Sequence, residues 1–354
     1  MTKIIAQRTL IGGALLALVG MTSPASVQAD PSADLTPALN EGIAQIGPML
    51  QGEYGSFAET AAHLSDAVGA LACGADPEEV RPAFRAAFTA WARVQSVHIG
   101  PINSLDRRPR IQFFPDKRNA APRLLMQALG KADPKLIKPN GLTFASVAVQ
   151  GFPALERVLY GAAFKDIAQT DYACAFRKAV AVDLAKTAQE LADGWADPAA
   201  NFAPFLDSQA AIGTLLAGMD AWLAETERRR LAGVMGEAPA AARPSVAESP
   251  DAGLSRDLLI ASLEGTQALH KTALVEALSQ ANPALADRVD AAFAATIAAA
   301  KALPADIASL AQDPEARDQL VALHDQVLAL RQVATVQTAE TLGVVLGFNS
   351  QDGD

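Results

Sequence analysis

The stretch DYACAFRKAVAVDLAKTAQELADGWADP, residues 171–198, decides the fold. Tyr172, Phe176, Val180, Leu184, Thr187, Leu191 and Trp195 recur in it at steps of four and three. Side chains at that spacing line one face of an α-helix. Asp197-Pro198 ends the run, because proline cannot donate to the helical ladder and disfavours helical geometry just before it. Working outward, the same period returns. Ile212, Leu215, Leu216, Met219, Trp222 and Leu223 form one stripe, and Leu258, Leu259, Leu263, Leu269, Leu274 and Leu278 another. Leu320, Leu323, Val327 and Leu330 form a further one. Toward the N-terminus, Asp76-Pro77-Glu78-Glu79 reads as a helix start, followed by Val80, Phe84, Phe88 and Trp91. Pro82 should bend or delay that helix. Alternating runs of β-branched residues are nearly absent. Stripes this wide bury against other helices, so the expected fold class is all-α, built as two helical-bundle halves.

Two stretches break the rhythm. Residues 100–123 hold Pro101, Pro109, Pro115 and Pro122 with five arginines and read as an insertion. Residues 236–253 are rich in Ala, Pro, Ser and Gly and read as an exposed linker between halves. The expected division is a signal peptide over 1–29, a first half over 30–235, the linker, and a second half over 254–354. An internal duplication fits this layout, although the halves do not align by eye.

The N-terminus has the parts of a secretory signal. Lys3 and Arg8 precede the apolar run Leu10 to Val19, and Val27-Gln28-Ala29 offers a cleavage site before Asp30. The run is shorter than the roughly 20 apolar residues that span a bilayer. No cysteine stands near the cleavage point, so no membrane anchor is expected after cleavage, and the expected location is the periplasm. Cleavage removes two basic residues and no acid, leaving 27 basic against 39 acidic residues, a net charge of −12. That balance repels nucleic acid and anionic lipid. Cys73 and Cys174 are the two cysteines. An even count in an oxidising compartment suggests a bridge, worth up to about 4.7 kcal/mol for a loop near 100 residues. Two buried thiols are the alternative.

No zinc-binding pair of histidines, Cys-x-x-Cys, phosphate loop or nucleophile elbow occurs. His63 with Asp66 has metal-ligand spacing, but a solvated helix face explains it equally. In the insertion, Arg107, Arg108 and Arg110 precede Phe113-Phe114-Pro115-Asp116. Either Asp116 is held in a network of arginine donors or it caps a helix start. Further on, Gln150-Gly151-Phe152-Pro153-Ala154-Leu155-Glu156 opens a short helix and sets Glu156 near its first turn, where the helix dipole favours a carboxylate.

The segment Gly151 to Gly161, together with the Trp91 helix, the Phe-Phe-Pro-Asp corner and the ending Leu346 to Asp354, resembles the imelysin family over roughly residues 40–354. The resemblance implies an exported helical protein associated with iron uptake, with a component of an iron-uptake system as its expected partner. The family motif Gly-x-His-x-x-Glu supplies its supposed metal or peptidase residues. Glu156 matches the Glu, but Pro153 stands at the His position and offers no donor atom. The expectation is therefore a binding protein rather than an enzyme, its site lying where the insertion, the Glu156 helix and the C-terminal tail meet. Arg110, Asp116, Gln150, Glu156, Asn349 and Asp352 are the candidate ligand-binding residues. Iron or another divalent or trivalent cation is the candidate cofactor, with Glu156 as metal ligand, since hard cations favour oxygen donors. The alternatives are a metal-dependent peptidase or hydrolase, and an interaction module without a small ligand.

Overall fold

The computed structural model describes residues 34–346. The expected signal peptide and the candidates Asn349 and Asp352 lie outside the described residues. The main helices are α1 (Thr36–Ala70), α2 (Arg81–Arg93), α3 (Ala121–Lys131), α4 (Gly151–Tyr160) and α5 (Asp171–Gly194). There follow α6 (Ser208–Glu225), α7 (Ser255–Ala273), α8 (Pro283–Ala302) and α9 (Arg317–Arg331). Among the described residues no strand forms, and the chain is all-α.

The stripes read from the sequence are the buried faces. In α5, Phe176, Val180, Leu184, Thr187 and Leu191 are buried, and Trp195 just beyond its end is fully enclosed. Thr170 starts that helix, its hydroxyl accepting the Ala173 amide at 3.2 Å. Pro82 delays α2: a 3-10 turn, Pro77–Val80, comes first, capped by Asp76, and the proline then sits in the opening turn of α2, where its missing N–H costs nothing.

α1 packs along α5 and α2 and also reaches α7. Close approach is possible because its glycines are bare: a Cβ on Gly42 would stand 2.1 Å from the Ala273 carbonyl oxygen at the end of α7. An aromatic cluster fixes the next layer. Phe88 of α2 stacks on Phe152 of α4 at 4.1 Å between centroids, and Phe84 and Phe57 pack around the same ring. Burying a ring of this size contributes on the order of 2 kcal/mol, so α4 is anchored from its first turn. The Cys73–Cys174 disulfide, with Cα atoms 5.6 Å apart, ties the chain just past α1 to the first turn of α5.

Apolar packing continues without interruption from α1 to α9, on both sides of residues 236–253. A pair of charge-assisted bonds reinforces it: Asp220 of α6 accepts from Arg331 of α9, twice at 2.8 Å. Residues 236–253 are not exposed throughout. From Ala247 the chain turns inward, and Ala247, Glu248, Ser249 and Ala252 are buried. The stretch expected to be an exposed linker thus contributes buried residues to a wall of the site described next.

Candidate functional site

The site is built around the start of α4. Gly151 has φ +65°, and a Cβ there would lie 2.0 Å from the Ile111 carbonyl oxygen. Only glycine lets the insertion backbone come this close. One and a half turns on, Glu156 is 3% exposed. Its Oε1 accepts the Ala252 amide at 2.8 Å, while the Ala252 carbonyl accepts from Arg81 Nη1 at 2.7 Å. A single residue, Ala252, is therefore held through its amide by a buried carboxyl group and through its carbonyl by a guanidinium. Burial pushes the Glu156 carboxyl up to about 7 against the pull of the Ala252 amide, with the Asp251 charge raising it and Arg157 lowering it.

Beside it runs a buried polar network. Arg230 Nε donates to Glu248 Oε2 at 2.7 Å, Nη1 to Glu225 at 2.9 Å, and Nη2 to Gln95 Oε1 at 3.0 Å. Gln112 Nε2 donates to Glu248 Oε1 at 2.6 Å, and Gln112 Oε1 accepts from Trp91 Nε1 and Gln95 Nε2 at 2.7 and 2.6 Å. Burial works against the Arg230 charge, but Glu248 and Glu225 outweigh it and hold the guanidinium above its usual value. Arg230 lies in the π-helical segment Thr226–Ala232 that continues α6. Such bulges turn a side chain out of the regular register and are frequent at functional sites. His98, which lines the same small hollow, is pushed down to about 3 by burial and by the Arg108 charge, and so stays neutral.

A cleft of about 110 Å³ opens over these groups. Its walls are the Phe113 to Asn119 corner, the Pro153 to Arg157 turn of α4, Arg229, and the inward-turning residues 245–250 with Arg243. Glu156, Glu248 and Ser249 line it, and the buried Ser249 side chain helps draw the Glu156 carboxyl down against the push of burial. Lys117, Arg157, Arg229 and Arg243 also line it, and among the described residues none of these four is in an ion pair.

The structure brings Glu156 and Asp116 to one cleft. Asp116 has the helix-start role: its Oδ2 accepts the amide of Ala121, the first residue of α3, at 2.7 Å. The arginine network around it does not form, because each arginine is spent elsewhere. Arg107 donates to Pro101 O, Arg108 to Gln95 O and Val97 O, and Arg110 to Gln150 and Asp183. Arg110 and Gln150 brace the base of α4 against α5 and are not among the residues lining the cleft. Sequence reasoning missed Gln95, Gln112, Arg230 and Glu248. The first two are single amides on otherwise apolar or irregular stretches, and Glu248 stands in a segment whose composition reads as a linker. The run Arg228-Arg229-Arg230 was the one visible signal.

The sequence profile described as imelysin matches residues 50–334. The chain belongs to the imelysin family. Its fold is that of two solved members of the wider group. An imelysin-like protein from Psychrobacter arcticum 273-4 superimposes with a TM-score of 0.74 at 20% identity, covering 91% of this chain and 100% of that one. A putative iron-regulated protein A precursor from Parabacteroides distasonis ATCC 8503 gives 0.72 at 13% identity, covering 88% and 98%. No curated protein sequence matches. Against the metal expected of an imelysin site, the donors here fit poorly. Among the described residues no three His, Cys, Asp or Glu side chains are placed to hold one metal ion. Pro153 brings no donor atom, Glu248 is engaged by Arg230 and Gln112, and Glu156 already accepts a backbone amide and holds its proton up to about neutrality.

Proposed function

We propose that this imelysin-family protein is exported to the periplasm and acts in iron acquisition by binding, its ligand seated in the cleft over Glu156. The observation that carries the reading is the make-up of that cleft. A buried carboxyl group stands at its floor, and four cations without carboxylate partners stand around it. Cations left unpaired at a cleft suit a ligand that brings its own oxygen anions. Iron would arrive already wrapped in an anionic chelator rather than as a bare ion to be coordinated by the protein. In its protonated form Glu156 has one O–H to give to a ligand oxygen. The iron-regulated name of the Parabacteroides distasonis relative and the disulfide agree with an exported role in iron handling.

Equilibrium dialysis of the mature protein against ferric citrate, and separately against ferrous, ferric and zinc ions, tests this. Binding of the chelate, weakened by Arg229→Glu, with the bare ions lost on desalting, is the expected result. Tight stoichiometric retention of a bare ion, with chelator-sensitive cleavage of an unfolded protein that Glu156→Gln abolishes, would make this a metal-dependent hydrolase instead.

A further inference from the structure

Arg81, which donates to the Ala252 carbonyl, also lines a second hollow, of about 270 Å³. The start of α2 with Pro77 and Arg81, the end of α4 with Tyr160, the turn bearing Lys165, and Arg177 of α5 enclose it. Its charge is one-sided. Arg81, Lys165 and Arg177 face a single acid, Glu78, which is more than half exposed and already paired with Arg81. Neither Lys165 nor Arg177 is in an ion pair among the described residues.

Arg177 is the unusual member. It is 5% exposed, yet it has no counter-charge. One nitrogen, Nη2, makes both of its hydrogen bonds, to the carbonyls of Leu71 and Ala72 at 2.8 Å each, and Nε is left without a partner. The Tyr160 hydroxyl in the same wall is also buried without a partner. Arginine is almost never buried unless paired, because removing a charge from water costs several kcal/mol. Burial alone accordingly lowers its proton affinity. The guanidinium is also held rigidly. Ala72 precedes Cys73, Cys174 stands one turn before Arg177, and the disulfide joins the two. A fixed guanidinium without a carboxylate partner, beside an exposed lysine and an open volume, has the composition of an oxyanion site that lacks its anion.

We propose that this hollow binds a small oxyanion, a phosphate or a carboxylate group, held by Arg177 and Lys165 with Arg81 closing one side. The site is distinct from the cleft over Glu156 and does not depend on what that cleft binds.

Calorimetric titration of the mature protein with inorganic phosphate, and in parallel with succinate, provides the test and separates the two sources of the anion. One saturable site per chain is expected for at least one of them, weakened about tenfold or more by Lys165→Glu, whose side chain is exposed and whose change spares the core. Arg177→Gln, checked for folding by circular dichroism, is expected to abolish it. Arg229→Glu, in the other cleft, is expected to leave it unchanged. No saturable binding of either anion up to about 10 mM would overturn the proposal. So would binding that survives Lys165→Glu, or that is lost in Arg229→Glu instead.

Discussion

Glu156 carries a proton problem that its neighbours only partly solve. In the unfolded chain its carboxyl titrates near 4.5, and in the fold burial moves it to about 7. Between those values the folded protein holds a proton that the unfolded chain has released. Stability therefore falls as pH rises through that window and is least affected below it. Glu156→Gln keeps an acceptor for the Ala252 amide but cannot ionise. The variant should gain on the parent by up to about 3 kcal/mol between pH 4.5 and pH 7 or above, measured by urea unfolding across that range. His98 and His270, both held neutral by burial, act oppositely and lose stability as pH falls below 6.5. They are present in both proteins and cancel in the comparison. A pH-independent difference would show that Glu156 is ionised throughout. At this scale the sequence was readable where a residue type is constrained by chemistry, as with Cys73, Cys174 and Glu156. It was opaque where the partner is remote. Nothing around Glu248 in the chain signals Arg230, because the pairing arises only when the π-helical turn rotates that arginine inward.

Among the elements, helix contacts are set by glycine as much as by the large side chains. Gly265 of α7 meets the end of α2 so closely that a Cβ would stand 1.9 Å from the Arg93 carbonyl oxygen. Gly52 of α1 has nothing within 4 Å. Alanine is the better helix former by about 1 kcal/mol at either position. Gly52→Ala should raise stability by up to that amount, whereas Gly265→Ala should lower it by about 2 kcal/mol, since overpacking outweighs propensity. Thermal melting of the two variants checks both signs. The same glycines explain which helices can be read from sequence. The α5 stripe is legible because bulky residues carry its period. α1, the longest helix, contains Gly42, Gly47, Gly52, Gly55 and Gly69 with Pro48 inside it, and these are the signals that ordinarily argue against a helix. Its helicity comes from being enclosed by α2, α5 and α7 rather than from propensity.

For the molecule as a whole, one apolar core spans both sides of residues 236–253, and one disulfide closes a loop of 101 residues within the first side. Replacing both cysteines, Cys73→Ser with Cys174→Ser, should cost up to about 4.7 kcal/mol, the loop-closure entropy returned to the unfolded chain. Denaturant unfolding should remain a single transition, coincident by circular dichroism and by tryptophan fluorescence, because the core has no internal boundary. Two resolved transitions would mean that the halves fold independently. The network joining Gln95 and Gln112 to Glu248 also sets a timetable. Gln95 and Glu248 are 153 positions apart, so a ribosome adding 5–20 residues per second separates them by roughly 8–30 s. Throughout that interval the side-chain amides of Gln95 and Gln112 lack the carboxylate to which they donate. Burying those amides before the carboxylate arrives would cost about 1–3 kcal/mol each, which disfavours closing this layer until residue 248 has been made.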